Sequence, residues 1–155
     1  MPDSTSSSIT VLAPRPAVMA VIADFPAYPE WAGVKSAEVL AQEDGGRASR
    51  VRFQLDAGPI RDTYVLGYRW QQDEAVDWEL AESGSVISAM TGRYGLADGN
   101  PGTVVSFDLT VGVRIPMPGI LKRRAEKIII DTALKGLRER AESGAGPSAR
   151  GGDRQ

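Results

Sequence analysis

The pattern of apolar and polar positions near the start of the chain predicts one strand followed by two short helices. Residues 8–12, Ser-Ile-Thr-Val-Leu, alternate and are rich in β-branched side chains, which indicates a strand that ends before Pro14. Residues 17–23 predict a helix with proline just ahead of its first turn, and residues 27–31 predict a second helical turn. Gly33 then ends the helical stretch.

From residue 34 to residue 115 the apolar side chains recur with a period of two, as in strands that bury one face. Turn-forming residues divide this stretch into six strands; they occupy positions 45–46, 57–59, 71–74, 83–84 and 98–102. Consecutive strands joined by short turns predict an antiparallel meander with one face toward a core and the other toward water.

The last predicted element is a helix from Gly119 to about Glu142, about 35 Å long at about 1.5 Å per residue. Its isoleucine and leucine side chains form a broad apolar arc, and charges of alternating sign follow the opposite side. The arc requires an apolar partner, which the sheet supplies. The predicted fold class is therefore α+β, with a curved antiparallel sheet of one N-terminal strand and six meander strands wrapped round a long C-terminal helix.

The two ends of the chain differ in composition from the part between them. Residues 1–6 and 143–155 contain few apolar side chains, so we expect disordered tails on either side of one domain at 7–142. The start of the chain lacks the cationic and apolar regions of a secretory signal. No apolar run is long enough to span a bilayer, and we expect a cytoplasmic protein.

The 155 residues include no cysteine and no histidine. Disulfides, cysteine nucleophiles, Ser-His-Asp triads and sites with Cys or His metal ligands are therefore excluded. We predict neither a metal nor another cofactor, and the absence of imidazole favours binding over catalysis. The net charge of -2 argues against a nucleic-acid partner, because such domains usually carry a basic surplus.

Residues 9–40, ITVLAPRPAVMAVIADFPAYPEWAGVKSAEVL, resemble the opening of the START-like superfamily, in particular its bacterial polyketide cyclase/dehydrase and lipid-transport branch. The shared features are a strand ending Ala-Pro, a helix ending Ile-Ala-Asp-Phe, and Tyr-Pro-Glu-Trp before the second strand. The later elements also follow the order of that superfamily's helix-grip fold. The resemblance implies a deep apolar cavity between helix and sheet that holds a lipid, a polyketide or an isoprenoid-like molecule, with the protein as carrier or chaperone.

Two predicted faces contribute side chains to that cavity. The aromatic row on the fourth strand, which includes Tyr64 and Tyr68 and ends at Trp70, is expected inward because an exposed row would form a costly apolar patch. Along the helix, small side chains leave volume that either a ligand or bulky sheet residues such as Trp70 fill. The predicted ligand-binding residues are Trp31, Phe53, Tyr64, Leu66, Tyr68, Trp78, Met90, Tyr94, Phe107, Leu121, Ala125, Ile128, Thr132 and Gly136.

An enzymatic alternative comes with the same resemblance, because the family's aromatase/cyclases are thought to use an interior arginine with tyrosine partners. The candidate catalytic residues for a polyketide cyclase or dehydratase are Tyr64, Tyr68 and Arg93. Arg93 is expected to face solvent unless a bulge shifts its strand's register. Arg69 lies on the opposite face from the aromatic row, which does not fit the cyclase pattern.

A third possibility is an interaction module that docks on a membrane or a protein. The apolar loop at 115–120 lies beside a cluster of cations that opposes the helix dipole. Such a combination either docks on an anionic membrane or partner, or forms an ordinary solvated helix start. The candidate docking residues are Met117, Lys122, Arg123, Arg124 and Lys127, and both monomer and homodimer remain open.

Overall fold

A computed structural model describes residues 5–43, 45–57 and 60–143. Strand β1 is followed by helix α1, a short 3-10 turn at Phe25–Ala27 and helix α2, and six further strands lead to helix α3. The bounds are β1 Thr5–Val11, α1 Arg15–Ala23, α2 Tyr28–Trp31, β2 Val34–Gln42, β3 Ala48–Ala57, β4 Ile60–Gln71, β5 Ala75–Glu82, β6 Ile87–Asp98, β7 Thr103–Val113 and α3 Gly119–Glu142. The predicted element order and α+β fold class are confirmed.

The seven strands form one antiparallel sheet in the order β1-β7-β6-β5-β4-β3-β2. Strands β1 and β2 lie at opposite edges, because α1 and α2 carry the chain across between them. Shifts of register interrupt the β2–β3 and β4–β5 pairings, and irregularities of this kind bend a sheet. The curved sheet therefore presents a concave face on which the helices pack.

Helix α3 packs mainly on β1 and β7, at one side of the concave face. Its buried side chains include Ile130, Leu134 and Leu137, and α1 adds Val18 and Ile22 to the same core. Because α3 is seated over β1 and β7, the aromatic side chains of β3 to β6 cover the rest of the concave face. This arrangement decides where a cavity forms.

The N-terminal boundary differs from the prediction, because β1 begins at Thr5 and includes two residues that were expected in a tail. The hydroxyl of Thr5 donates a 2.6 Å hydrogen bond to Oε1 of Glu126, which is fully buried. Oε2 of Glu126 accepts a 2.8 Å hydrogen bond from the backbone N–H of Val111. Glu126 thus ties α3 to both β1 and β7. Ser143, the first residue of the predicted C-terminal tail, caps α3, and its backbone N–H donates to the backbone oxygen of Glu139 at 3.0 Å. The rest of the predicted tails, residues 1–4 and 144–155, lies outside the described residues.

Candidate ligand-binding cavity

A cavity of about 60 Å³ lies between α3 and the concave face of the sheet. A space of this size holds several water molecules. Eight of the residues predicted to bind a ligand line it: Phe53, Tyr64, Leu66, Tyr68, Trp78, Met90, Tyr94 and Phe107. The inward orientation expected for Tyr64, Leu66 and Tyr68 is therefore observed.

The cavity is small because aromatic rings fill most of the concave face. Trp78 occupies the centre, with ring centroids 5.7 Å from Tyr68, 5.4 Å from Tyr94 and 5.5 Å from Phe107. Its indole lies over Gly92 of the paired strand, where a Cβ atom would come within 2.2 Å of the ring. The glycine therefore provides the close approach that lets Trp78 lie flat on the sheet.

Three tyrosine hydroxyls at the cavity have no hydrogen-bond partner in the described part of the chain: those of Tyr64, Tyr68 and Tyr94. Their residues are only 5%, 8% and 4% exposed. By contrast, the hydroxyl of Tyr28 donates a 2.5 Å hydrogen bond to the backbone oxygen of Ile22. These hydroxyls are not enclosed atoms, because among the described residues the buried side-chain N and O atoms without a partner are Trp31 Nε1 and Arg140 Nε. The three hydroxyls are therefore accessible from the cavity, where water or a ligand oxygen can accept a hydrogen bond from them.

Burial raises the pKa of the Tyr64, Tyr68 and Tyr94 hydroxyls well above the usual phenol value. The neighbouring phenols Tyr64 and Tyr94 add to the effect on the pKa of Tyr68, and Asp62 adds to that of Tyr64. The hydroxyls are therefore neutral near physiological pH. A neutral phenol donates one hydrogen bond and does not act as a base.

No charged side chain lines the cavity among the described residues. Arg93 lies on the outer face, where it donates to both carboxylate oxygens of Asp77 at 2.8 and 2.9 Å. The two residues are direct cross-strand partners without a register shift, so no bulge turns Arg93 inward. Arg69 is paired with Glu79 at 2.7 Å on the same outer face. Across residues 5–43, 45–57 and 60–143, no cluster of three or more acidic side chains could hold a metal ion.

Most of the side chains that line the cavity are buried, and two reach solvent. These are Val34 at the start of β2 and Ile129 in the middle of α3, which are both only partly buried. From their partial exposure we infer that the cavity opens beside these two residues, and we call this opening the mouth. Ala133, one turn beyond Ile129, forms the wall just inside it.

A family model described as "Polyketide cyclase / dehydrase and lipid transport" matches residues 2–142, which include every described element of the fold. The chain belongs to this family. A search of curated proteins found no match. No helix in the described ranges combines the length and hydropathy needed to cross a bilayer.

Solved structures share the fold at low sequence identity. A START superfamily protein from Mycobacterium smegmatis is 22% identical with a TM-score of 0.81, over 90% of this chain and 97% of that one. An aromatase/cyclase from Streptomyces sp. R1128 is 16% identical with a TM-score of 0.75, over 92% and 94%. A protein from Thermus thermophilus is 22% identical with a TM-score of 0.77, over 93% and 100%. At these identities the likeness establishes the helix-grip fold.

Five residues of α3 were predicted to line the cavity, and none of them does. Leu121, Ile128 and Thr132 are exposed, and Ala125 is fully buried outside the cavity lining. Gly136 faces α2, where a Cβ atom would come within 2.1 Å of the Trp31 backbone oxygen. The lining residues are Ile129 and Ala133 instead. Ile128, Ile129 and Ile130 are consecutive, so the hydrophobic pattern does not identify the face that points inward.

Trp31 and Trp70 also lie outside the lining. Trp31 is buried and packs on Tyr28, with ring centroids 4.8 Å apart, so it joins α2 to α3. Trp70, partly buried at the end of the aromatic row, donates through Nε1 to the backbone oxygen of Ala48 at 2.7 Å. Seven lining residues were not predicted: Tyr28, Ala32, Val34, Leu55, Leu109, Ile129 and Ala133. Leu55 lies two residues after Phe53 on the same strand, so its side chain points to the same face of the sheet. The alternation in the sequence could therefore have identified it as a lining residue.

The predicted docking residues lie around the start of α3. Met117 is partly buried and packs against the core, whereas Arg123, Arg124 and Lys127 are exposed and Lys122 is partly buried. Lys127 forms an ion pair with Asp131 at 3.0 Å. None of these side chains lines the cavity.

Proposed function

We propose that the protein binds a neutral, hydrophobic small molecule that carries an acceptor oxygen, and that it serves as the carrier or chaperone of this molecule. The observation that supports the proposal is the group of three hydroxyls, on Tyr64, Tyr68 and Tyr94, which line the cavity and make no hydrogen bond within the described chain. A ligand oxygen that replaces cavity water as the acceptor gains about 0.5–1.5 kcal/mol per hydrogen bond. Such bonds also fix the orientation of the ligand.

The lining argues for a neutral ligand. A carboxylate or phosphate that entered the cavity would lose its hydration, and no cation among the described lining residues compensates that loss. A ketone, ester or hydroxyl accepts a phenol hydrogen bond at much lower desolvation cost. An oxygenated lipid, a polyketide or an isoprenoid-like molecule fits this requirement, and the family's description names both polyketide and lipid chemistry.

Entry of such a molecule requires the lining side chains to move. Ligand cavities are usually about 300–1,000 Å³, several times the 60 Å³ present here. Met90 is unbranched and readily changes rotamer, and Ile129 lies at the mouth where solvent leaves it room. Binding is therefore coupled to expansion of the cavity, and the cost of expansion lowers the apparent affinity.

A second candidate, a cyclase or dehydratase, is favoured by the presence of two phenols, Tyr64 and Tyr68, on the lining of one cavity, where they would polarise a ketone and stabilise an enolate. Such a reaction also needs a base to remove a proton. The described lining offers none, since it holds no carboxylate and the raised pKa values keep the phenols protonated. The carrier function therefore has the stronger support.

The test is a fluorescence titration with Nile red, a neutral hydrophobic dye, followed by displacement with a long-chain methyl ketone and with the fatty acid of equal chain length. We expect the ketone to displace the dye and the ionised acid to compete poorly. The substitutions Tyr64→Phe and Tyr94→Phe should each weaken ketone binding about 2- to 10-fold, the usual value of one hydrogen bond.

The matched control is Tyr28→Phe, because Tyr28 also lines the cavity but its hydroxyl is already bonded to Ile22. Its effect on ketone affinity should be less than twofold. Equal affinities of wild type, Tyr64→Phe and Tyr94→Phe for the ketone would refute the role of the hydroxyls. Mass spectrometry of material extracted with the protein from its host identifies the class of ligand; an interior that retains nothing and takes up no dye would overturn the carrier function.

A further inference from the structure

Several large apolar side chains are exposed near the start of α3. Ile120 is 75% exposed, and Ile115, Leu121 and Ile128 are between 39% and 45% exposed. We call these four apolar residues and the neighbouring cations the docking patch. The cations are Lys122, Arg123, Arg124 and Lys127. Exposed apolar side chains are ordinary when scattered, but a group of them among like charges marks a surface for interaction.

The charge of the patch is positive, although Lys127 is paired with Asp131 at 3.0 Å. Residues 114–127 include five cations and one acid, and that acid, Glu126, is turned into the protein, where it is fully buried. Within the described chain the side chains of Lys122 and Arg124 form no ion pair. The whole chain carries a net charge of -2, so the positive potential is local to this surface.

Helix stability does not explain this charge. Cations in the first turns oppose the helix dipole, and α3 has neither a side-chain N-cap nor an acidic residue in its first turn. The sequence therefore keeps a helix start that is locally unfavourable. A surface that binds anions benefits from the same placement.

Most of the patch combines cations and apolar side chains on one face, whereas Lys122 is partly buried on another side of the first turn. Leu121, Arg124 and Ile128 are spaced three and four residues apart, so they project on the same side of α3, away from the sheet. This combination is typical of helices that lie on anionic membranes, where apolar side chains enter the headgroup boundary and cations meet phosphates. A two-fold dimer through the patch would instead place cations against cations.

We propose that the docking patch binds the surface of an anionic lipid bilayer, with Ile120 and Leu121 inserted at the headgroup boundary. The helix rises about 14 Å from Ile120 to Ile129, which lies at the mouth. The proposal goes beyond ligand binding in the cavity, and its test does not depend on what the cavity holds.

The experiment is flotation of the full chain with vesicles of phosphatidylcholine alone, or of phosphatidylcholine with one quarter phosphatidylglycerol. The wild type is expected to float with the anionic vesicles, to stay behind with the neutral ones, and to lose binding as salt is raised. Each cation near the surface contributes about fivefold in partitioning. The double change Arg124→Glu and Lys127→Glu, at two exposed positions on either side of Ile120 around the helix, should therefore lower partitioning by about 25-fold.

The matched control is Lys135→Glu with Arg138→Glu, which changes the net charge by the same amount on the same helix beyond the mouth. It should lower partitioning far less than the patch variant, and Ile120→Ser should reduce the binding that persists at high salt. Circular dichroism verifies that each variant is folded. Failure of the wild type to float with anionic vesicles, equal losses in the two double variants, or a patch-dependent dimer without flotation would each overturn the proposal.

Discussion

Filling the cavity from the helix side should stabilise the protein and reduce ligand binding. Ala133 is buried and its side chain faces the cavity, so Ala133→Val adds two methyl-sized groups to a void of about 60 Å³. At about 24 cal/mol per Å³, complete removal of a void of that size contributes at most about 1.4 kcal/mol. The lower helix propensity of valine offsets about 0.5 kcal/mol. The net gain is therefore at most about 1 kcal/mol, which corresponds to a rise in Tm of at most about 3 °C.

The assay pairs thermal melting with Nile red titration. Ala133→Val should melt higher than the wild type and bind the dye at least several-fold more weakly, because the added groups occupy the space between the mouth and the tyrosines. The control is Ala125→Val on the same helix, which is fully buried without lining the cavity. Overpacking there should cost about 1–3 kcal/mol. A destabilised Ala133→Val, or a stabilised one with unchanged dye affinity, would refute the placement of the cavity.

Two further predictions concern the elements that frame the cavity. Gly136→Ala should lower the free energy of unfolding by about 1–3 kcal/mol in urea denaturation, because its Cβ would come within 2.1 Å of the Trp31 backbone oxygen; unchanged stability would mean that this contact is not tight. Burial tends to raise the pKa of Asp62, but hydrogen bonds from the backbone N–H groups at 85–87 outweigh it and lower the pKa. The stability due to Asp62 is therefore present above its unfolded pKa near 3.8 and lost as the pH falls below that value. Asp62→Asn should be less stable at neutral pH and show a shallower loss in acid; a parallel pH profile would contradict this assignment.

The sheet side of the cavity followed from the sequence because strand geometry is strict. Successive side chains point to opposite faces, so the burial of Tyr64 implied that of Leu66 and Tyr68. The same parity placed Arg93 outside, where it pairs with Asp77. The absence of cysteine and histidine also excluded thiol and imidazole chemistry.

The helix side was not predictable in the same way. An α-helix turns about 100° per residue, so three consecutive isoleucines at 128–130 span most of its circumference and leave the inward direction open. Contacts with β1 and β7 select Ile130 for the core, Ile129 for the mouth and Ile128 for solvent. The position of Glu126 was not predictable either. Its neighbours in sequence include four cations, as is typical of a surface residue, yet its carboxylate is buried and accepts hydrogen bonds from Thr5 and Val111.

The sequence by itself determined the family, the order of elements and the face of each strand, because these depend on local spacing and on short turns. The tertiary structure decided which face of α3 closes the cavity, how small that cavity is and which hydroxyls lack partners. These properties depend on contacts between residues far apart in the chain, such as Trp78 over Gly92 and Gly136 against Trp31. Periodicity carries no information about such contacts, since it describes each element alone.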